Sequence, residues 1–422
     1  MKKLLPLVLL VLTLAANAQY NRHFRNKSLR VDYTHSGNAS EETYRVDTIY
    51  QEKYWSGPKE NLLDIFDYGH YKYEVYDALT NELLFSKGYS SLFREWQSTG
   101  EAKEKHRSFD ETLVLPYPRN AVNIVFYSRN RDLEWDKKFI FPFDPKTSKI
   151  NKNRQYRFRK SKVHYSGKPS GKLDIVIIAE GYTEQEMDKF LSDCERFRGY
   201  ILGAEPYKGS SDRINIWAVH SVSEESGTDI PGEEILKNTI AGSSFYTFGS
   251  ERYLTTEDHK SVRNLAANAP YDQIFILVNH EKYGGGGIYN FYSIGTSDNK
   301  AGDFLFQHEF GHAFAGLGDE YYSSEVAVQD FYPLDVEPWE PNITTLVDFG
   351  GKWQNMLSHS TPVPTPAIPE NEQTIGVYEG GGYVAEGVYR PYIDCTMKSV
   401  IYDAFCPVCK RAIRRMIDFY AE

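Results

Sequence analysis

His308 and His312 stand four residues apart with Glu309 beside the first. On a helix that spacing puts both imidazoles on one face, a turn apart, where they can reach one zinc ion together. Glu309 flanks the pair, so its carboxylate can sit beside the metal's water and not on the metal, in the place of a general base. Zinc brings the pKa of its water towards 7 and polarises a carbonyl. Glu309 then takes the proton of the attacking water and passes it to a leaving amine. The chemistry is hydrolysis.

An open catalytic site requires a third protein ligand. In the metzincin pattern a glycine turns the chain three residues after the second His, and another His follows three later. Here Ala315 and Gly318 occupy those places, but Gly316 and Asp319 match when both shift by one. Asp319 is therefore the expected third ligand, with Glu320 as its competitor and Glu325 as a more distant one. Resemblance to the metzincin pattern further implies a methionine turn beneath the metal, for which Asp394-Cys-Thr-Met-Lys398 supplies Met397. The Gly284–Gly287 run before Ile288 suits an edge strand beside the cleft. Gly286, Gly287, Ile288 and Tyr289 would pair there with an extended substrate.

The elements around these residues show two grammars. From 19 to 160 short runs such as Leu29–Tyr33, Tyr71–Tyr76 and Val122–Tyr127 alternate or are β-branched and aromatic, with a hairpin at Thr80–Glu82 and no helical period. This predicts an all-β sandwich domain, in which nothing looks catalytic. The basic stretch from Lys146 to Lys162 reads as a solvated connector. From 161 to 422 strands alternate with helices: 172–179, then a helix begun by Thr183 with Phe190, Cys194, Phe197 and Ile201 on one face, then 214–219, a helix at 259–267, strands at 273–279 and 288–294, and the helix 304–315 that carries the His pair. Such alternation predicts an α/β domain with a largely parallel sheet. Regular periodicity then stops for some seventy residues after Tyr321, until an amphipathic helix from Val408 to Tyr420.

Composition narrows the classes. The 422 residues carry 48 Lys and Arg against 58 Asp and Glu, for a net charge of −10. That acidic balance argues against a nucleic-acid partner. Lys2-Lys3, the apolar Leu4–Leu14 and Ala16-Asn-Ala18 have the form of a signal peptide, residues 1–18, with cleavage after Ala18. The mature protein is expected in the periplasm or outside the cell, without stable membrane insertion. There is no serine-nucleophile elbow, phosphate loop or dinucleotide fingerprint.

His308 to Tyr321, together with Leu173–Tyr182, Glu225–Pro231, Tyr283–Asn290 and Phe405-Cys-Pro-Val-Cys409, resembles the bacterial IgA-peptidase family of zinc metallopeptidases. Phe85–Tyr89 and Leu92–Trp96 resemble that family's N-terminal β-domain. The resemblance implies an α/β metzincin-like zinc peptidase domain preceded by a β-sandwich, one catalytic Zn2+, and a protein or glycoprotein substrate. IgA itself is not implied. The rival reading is a carbohydrate- or protein-binding surface module whose zinc is structural. Of the four cysteines, Cys194, Cys395, Cys406 and Cys409, an exported protein favours disulfides. A bridge from Cys395 to Cys406 or Cys409 would pin the methionine turn to the last helix. Three cysteines could also ligate a structural zinc, although no fourth ligand is evident in the sequence.

Overall fold

The computed structural model describes residues 19–153, 156–322, 332–401 and 404–421; the expected signal peptide, residues 1–18, and Glu325 lie outside them. The N-terminal part is β-rich. Its strands are β1 (Phe24–Gly37), β2 (Glu42–Glu52), β3 (Tyr71–Asp77) and β4 (Leu83–Tyr89), then, after helix α1 (Leu92–Gln97), β5 (Arg107–Pro118), β6 (Val122–Arg129) and β7 (Trp135–Phe143). They form two antiparallel sheets, β2-β1-β5 and β4-β3-β6-β7. The sheets share one core. Tyr33 on β1 meets Phe126 on β6 edge-on at 5.3 Å, and the Tyr73 hydroxyl on β3 donates to the Val114 carbonyl on β5 at 2.7 Å. Alternation along β3, buried at Tyr71, Tyr73 and Val75, follows from the period of two that a half-buried strand imposes. Helix α1 was not expected from the sequence. It is under two turns long and buries Leu92, Phe93 and Trp96, too short a run for a helical period to register.

The second part is built on a six-stranded sheet. Its strands are β8 (Lys160–His164), β9 (Leu173–Glu180), β10 (Ile214–Val219), β11 (Gln273–Val278), β12 (Gly285–Ile288) and β13 (Tyr292–Thr296), in the order β12-β13-β11-β9-β10-β8. The four inner strands are parallel and the two edges antiparallel. Strand β9 is buried at every position, which is why it reads as an unbroken apolar run and not as an alternation. Helices α2 (Met187–Gly203) and α3 (His259–Ala266) cross over between parallel strands. Glu186 accepts from the Thr183 backbone N–H at 2.9 Å, closing the first turn before α2. Helix α4 (Gly302–Ala315) packs on β12 and β13 and carries the His pair. It buries Leu305, Phe306, Phe310 and Phe314, each worth about 2–3 kcal/mol of apolar burial.

Two expectations are corrected here. The glycines of 284–287 do not precede a strand at 288–294. Gly285–Ile288 is itself β12, and a turn at 289–291 folds it against β13. The aperiodic stretch after Tyr321 contains the hairpin β14 (Tyr378–Gly381) and β15 (Val384–Arg390), followed by the last helix, α5 (Pro407–Tyr420). Glycines at three of the four β14–turn positions 380–383 hid this hairpin, because strand propensity is low there. Among the described residues no helix is long and apolar enough to cross a membrane.

A buried ionic pin holds the two N-terminal sheets together. His35 on β1 lies 3.3 Å from Glu111 on β5 and 3.0 Å from Glu42 on β2, and Ser128 on β6 of the other sheet also donates to Glu42. Burial disfavours the charged imidazole, but the two carboxylates outweigh it and raise the His35 pKa. Burial likewise opposes charge on Glu42, yet the bonds from His35 and Ser128 bring its pKa down to about 2. A raised His contributes stability below its unfolded pKa of about 6.5, lost as pH climbs through the folded value. A depressed Glu contributes above its unfolded pKa of about 4.3, lost as pH falls towards 2. Their joint contribution is therefore greatest between about pH 4.3 and 6.5. Replacing His35 by Ala strands Glu111 without its counter-charge and should cost about 3 kcal/mol. Urea unfolding at pH 5.5 and pH 8 checks this, and the loss should be smaller at the higher pH.

Candidate functional site

The C-terminal end of α4 sets the geometry. Gly316 takes a left-handed conformation (φ 62°), which ends the helix and turns the chain back; its N–H bonds the His312 carbonyl at 3.1 Å, and the Leu317 N–H bonds the Gly311 carbonyl at 3.2 Å. The turn brings the Leu317 carbonyl against His312 Nδ1 at 2.5 Å. The Thr396 carbonyl meets His308 Nδ1 at 3.0 Å. A carbonyl only accepts, so each Nδ1 carries its ring's proton and each Nε2 is left as a bare lone pair. The two Nε2 atoms lie 3.1 Å apart and face Asp319 Oδ1, at 3.1 Å from His308 and 3.3 Å from His312.

Three acceptors thus converge on one point. Asp319 is 6% exposed, and its Oδ1 has no hydrogen-bond donor of its own. Buried lone pairs at such separations repel unless a cation or protons lie among them. The set fits a divalent ion that accepts two nitrogens and one carboxylate oxygen, zinc foremost. In the metal-free chain protons take that place. Burial opposes charge on His312, but Asp319 and Glu309 overcome it and push its pKa up to about 9. The same imidazoles overcome the burial of Asp319 and hold its carboxyl far below the usual carboxylate range. The other oxygen, Oδ2, receives the Tyr383 hydroxyl.

Glu309 is half-buried at the floor of a cleft of about 680 Å³ that His308 and His312 also line. Loss of water raises its pKa; the nearby imidazoles work against that rise and Asp319 adds to it. Strand β12 runs directly over it. A Cβ on Gly285 would come within 2.9 Å of Glu309 Cγ, and one on Gly287 within 2.1 Å of the Glu309 carbonyl oxygen. Only glycine allows the strand to approach α4 this closely. β12 is the sheet edge, and the Gly285 carbonyl points outward to accept from the Leu254 N–H at 3.2 Å. Gly287, two residues on, presents its backbone in the same direction, towards the cleft. Gly286, Ile288 and Tyr289 line it as well.

Met397 is fully buried, and its Sδ packs under α4 where a Cβ on Gly311 would come within 2.9 Å. Its carbonyl accepts the Glu320 N–H at 2.8 Å, so this turn supports His308 through Thr396 and the Asp319–Glu320 segment through Met397. Glu320 itself faces away from the His pair. Its Oε1 lies 3.1 Å from Cys409 Sγ, in a cluster with Cys395 and Cys406. The competitor for the third ligand position is thereby placed in another site. The expected disulfide is not formed: all four cysteines are free, and Cys395 Sγ and Cys409 Sγ are 3.9 Å apart, against about 2.05 Å for a bond.

The sequence reading missed two contributors. The N-terminal part supplies one wall of the cleft, with His70, Ser91, Arg94 and Glu95. It is docked by the Ser90 N–H on the Tyr289 carbonyl (2.9 Å) and by Asn290 Nδ2 on the Gly88 carbonyl (2.8 Å). Burial lifts the Glu95 pKa to about 7, against the hydrogen bond from Tyr253. The other contributor is the turn of the β14–β15 hairpin. There the Gly382 N–H bonds the Asp319 carbonyl at 2.8 Å, and Tyr383, at φ 69°, aims its hydroxyl at Asp319. The Gly-Gly-Gly-Tyr run was the available signal.

A β-rich wall, an α/β core and a cleft floored by two histidines and two carboxylates make this a candidate metal-dependent hydrolytic site. The family comparison narrows the class. Residues 162–374 and 367–417 match the model of IgA peptidase M64, and residues 19–140 match that of the peptidase M64 N-terminus. The chain belongs to the IgA peptidase M64 family, which supports a peptidase function and a protein substrate. No curated protein matches it significantly.

The glycine contacts generate a sharp expectation. Gly287→Ala should destabilise the protein by about 1–3 kcal/mol, because the obstructing atom is helix backbone and cannot rotate aside. Gly100→Ala, with nothing near its Cβ, serves as the control in thermal melts.

Proposed function

We propose that the protein is an exported zinc-dependent endopeptidase with a metzincin-like catalytic domain. His308, His312 and Asp319 hold the metal, and Glu309 is the general base. The observation that carries this reading is the convergence of His308 Nε2, His312 Nε2 and Asp319 Oδ1 beside the Glu309 carboxylate in an open cleft. A zinc ion held there supplies the positive charge that acidifies a water and polarises the scissile carbonyl. The chain's own residues do the rest. The outer edge of β12 at Gly287 pairs with the substrate backbone and fixes its depth over α4. Glu309 accepts the proton of the attacking water and returns it to the departing amine. Its raised pKa, a result of burial, moves its proton affinity towards that of the groups it serves. The carbonyls of Leu317 and Thr396 keep both imidazoles in the tautomer that offers Nε2.

Met397 beneath α4 and the glycine turn at Gly316 support the metzincin-like reading, in which the ligand set ends on Asp319. The signal-like start of the chain supports export. A surface module with a structural zinc has less support, because a purely structural site has no use for a half-buried carboxylate in an open cleft beside the ligands.

Glu309→Gln preserves shape and removes the base. It should keep zinc and the melting temperature while kcat on casein falls about 10²–10⁴-fold. Zinc content, melting and casein cleavage on one preparation check this, with chelation abolishing the wild-type activity. An active Glu309→Gln protein would refute the mechanism.

A further inference from the structure

Asp319 and Glu320 are neighbours in the chain, yet their carboxylates serve opposite sides of it. Glu320 is fully buried, and its Oε1 accepts from Asn342 Nδ2 at 2.9 Å and lies 3.1 Å from Cys409 Sγ. Its Oε2 has no partner among the described residues. Around it stand Cys395, Cys406 and Cys409, all buried, with ligand atoms of the four residues within 4.8 Å of one another. The Cys395–Cys409 sulfur separation is 3.9 Å. Two thiolates on one tetrahedral zinc, at about 2.3 Å each, stand about 3.8 Å apart.

The backbone is arranged for sulfur as well. The Cys406 N–H donates to Cys395 Sγ at 3.2 Å, and the Cys409 N–H donates to Cys406 Sγ at 3.5 Å. Cys406 caps α5 and Cys409 lies in its first turn, where the helix terminus favours negative charge. Three cysteines and a carboxylate leave a remainder under any other arrangement. One disulfide would strand a buried thiol beside a buried glutamate that still lacks a partner for one oxygen. A soft divalent cation uses all four groups.

We propose that Glu320, Cys395, Cys406 and Cys409 form a second metal site, a closed structural zinc site separate from the His308–His312–Asp319 cluster. It joins the Asp319–Glu320 pair to two later segments, the turn that carries Thr396 and Met397 and the N-terminus of α5. All four ligand positions come from the protein, so it holds no open position for a substrate. Its role is to fix the backbone from which Asp319 and the Thr396 carbonyl act on the other cluster.

The test uses full-length protein with His308→Ala and His312→Ala, loaded with cobalt(II). The variant should still bind one cobalt per chain and show a thiolate-to-cobalt charge-transfer band in the near ultraviolet. Denatured without reductant, it should titrate four free thiols. Glu320→Ala should loosen the thiolate-bound cobalt by at least about tenfold. If the His variant does not fold, the wild type must show two cobalt ions per chain with the same band. Absence of the band in folded protein, two missing thiols, or cobalt affinity indifferent to Glu320→Ala would overturn the proposal. A wild-type protein with thiolate-bound cobalt but no peptidase activity would refute the catalytic reading and leave this one standing.

Discussion

Mutual repulsion among three buried lone pairs is the constraint around which the rest of the site is arranged. His308 Nε2, His312 Nε2 and Asp319 Oδ1 sit within 3.3 Å of one another. Left bare, they would drive the C-terminal end of α4 and the segment after it apart. Everything nearby restricts that escape. The Leu317 and Thr396 carbonyls hold the rings by their outer nitrogens, Tyr383 holds the far oxygen of Asp319, and Met397 fills the space under Gly311. A scaffold that presses acceptors together without donors is pre-organised for a cation.

That pre-organisation spans the whole chain. The turn 394–398 supports His308 through one carbonyl and Glu320 through the next. The N-terminal sheets reach the cleft through α1 and the Ser90 contact, so the β-rich part forms one of its walls opposite the His308–His312–Asp319 cluster. The small cavity of about 60 Å³ between the two parts, near Lys87 and Tyr271, is too narrow for a peptide and lies away from the His pair.

Some of this was legible in the sequence because it depends on local periodicity. A spacing of four places His308 and His312 on one face of any helix, and the buried run of β9 announces a parallel strand. Asp319 was reachable because Gly316 marks the helix end, and the distance from a turn to its next ligand is short. Other features needed the third dimension. Tyr383 and Glu95 are 64 and 224 residues from Asp319, and nothing local to them shows what they face. The glycine run was misplaced by one element, since glycine in a strand is justified only by a helix that the sequence does not place above it. The cysteines were paired in expectation because export favours disulfides, whereas Glu320, already weighed for the other cluster, is the fourth group beside them.

The central claim is that a metal ion lies among His308 Nε2, His312 Nε2 and Asp319 Oδ1. The most direct measurement is anomalous diffraction from crystals of the zinc-loaded protein, recorded on both sides of the zinc edge. The account predicts an edge-dependent peak within about 2.0–2.2 Å of those three atoms, with the Glu309 carboxylate beside it and outside bonding distance. No peak at that point, or one ligated by Glu309 in place of Asp319, would contradict it.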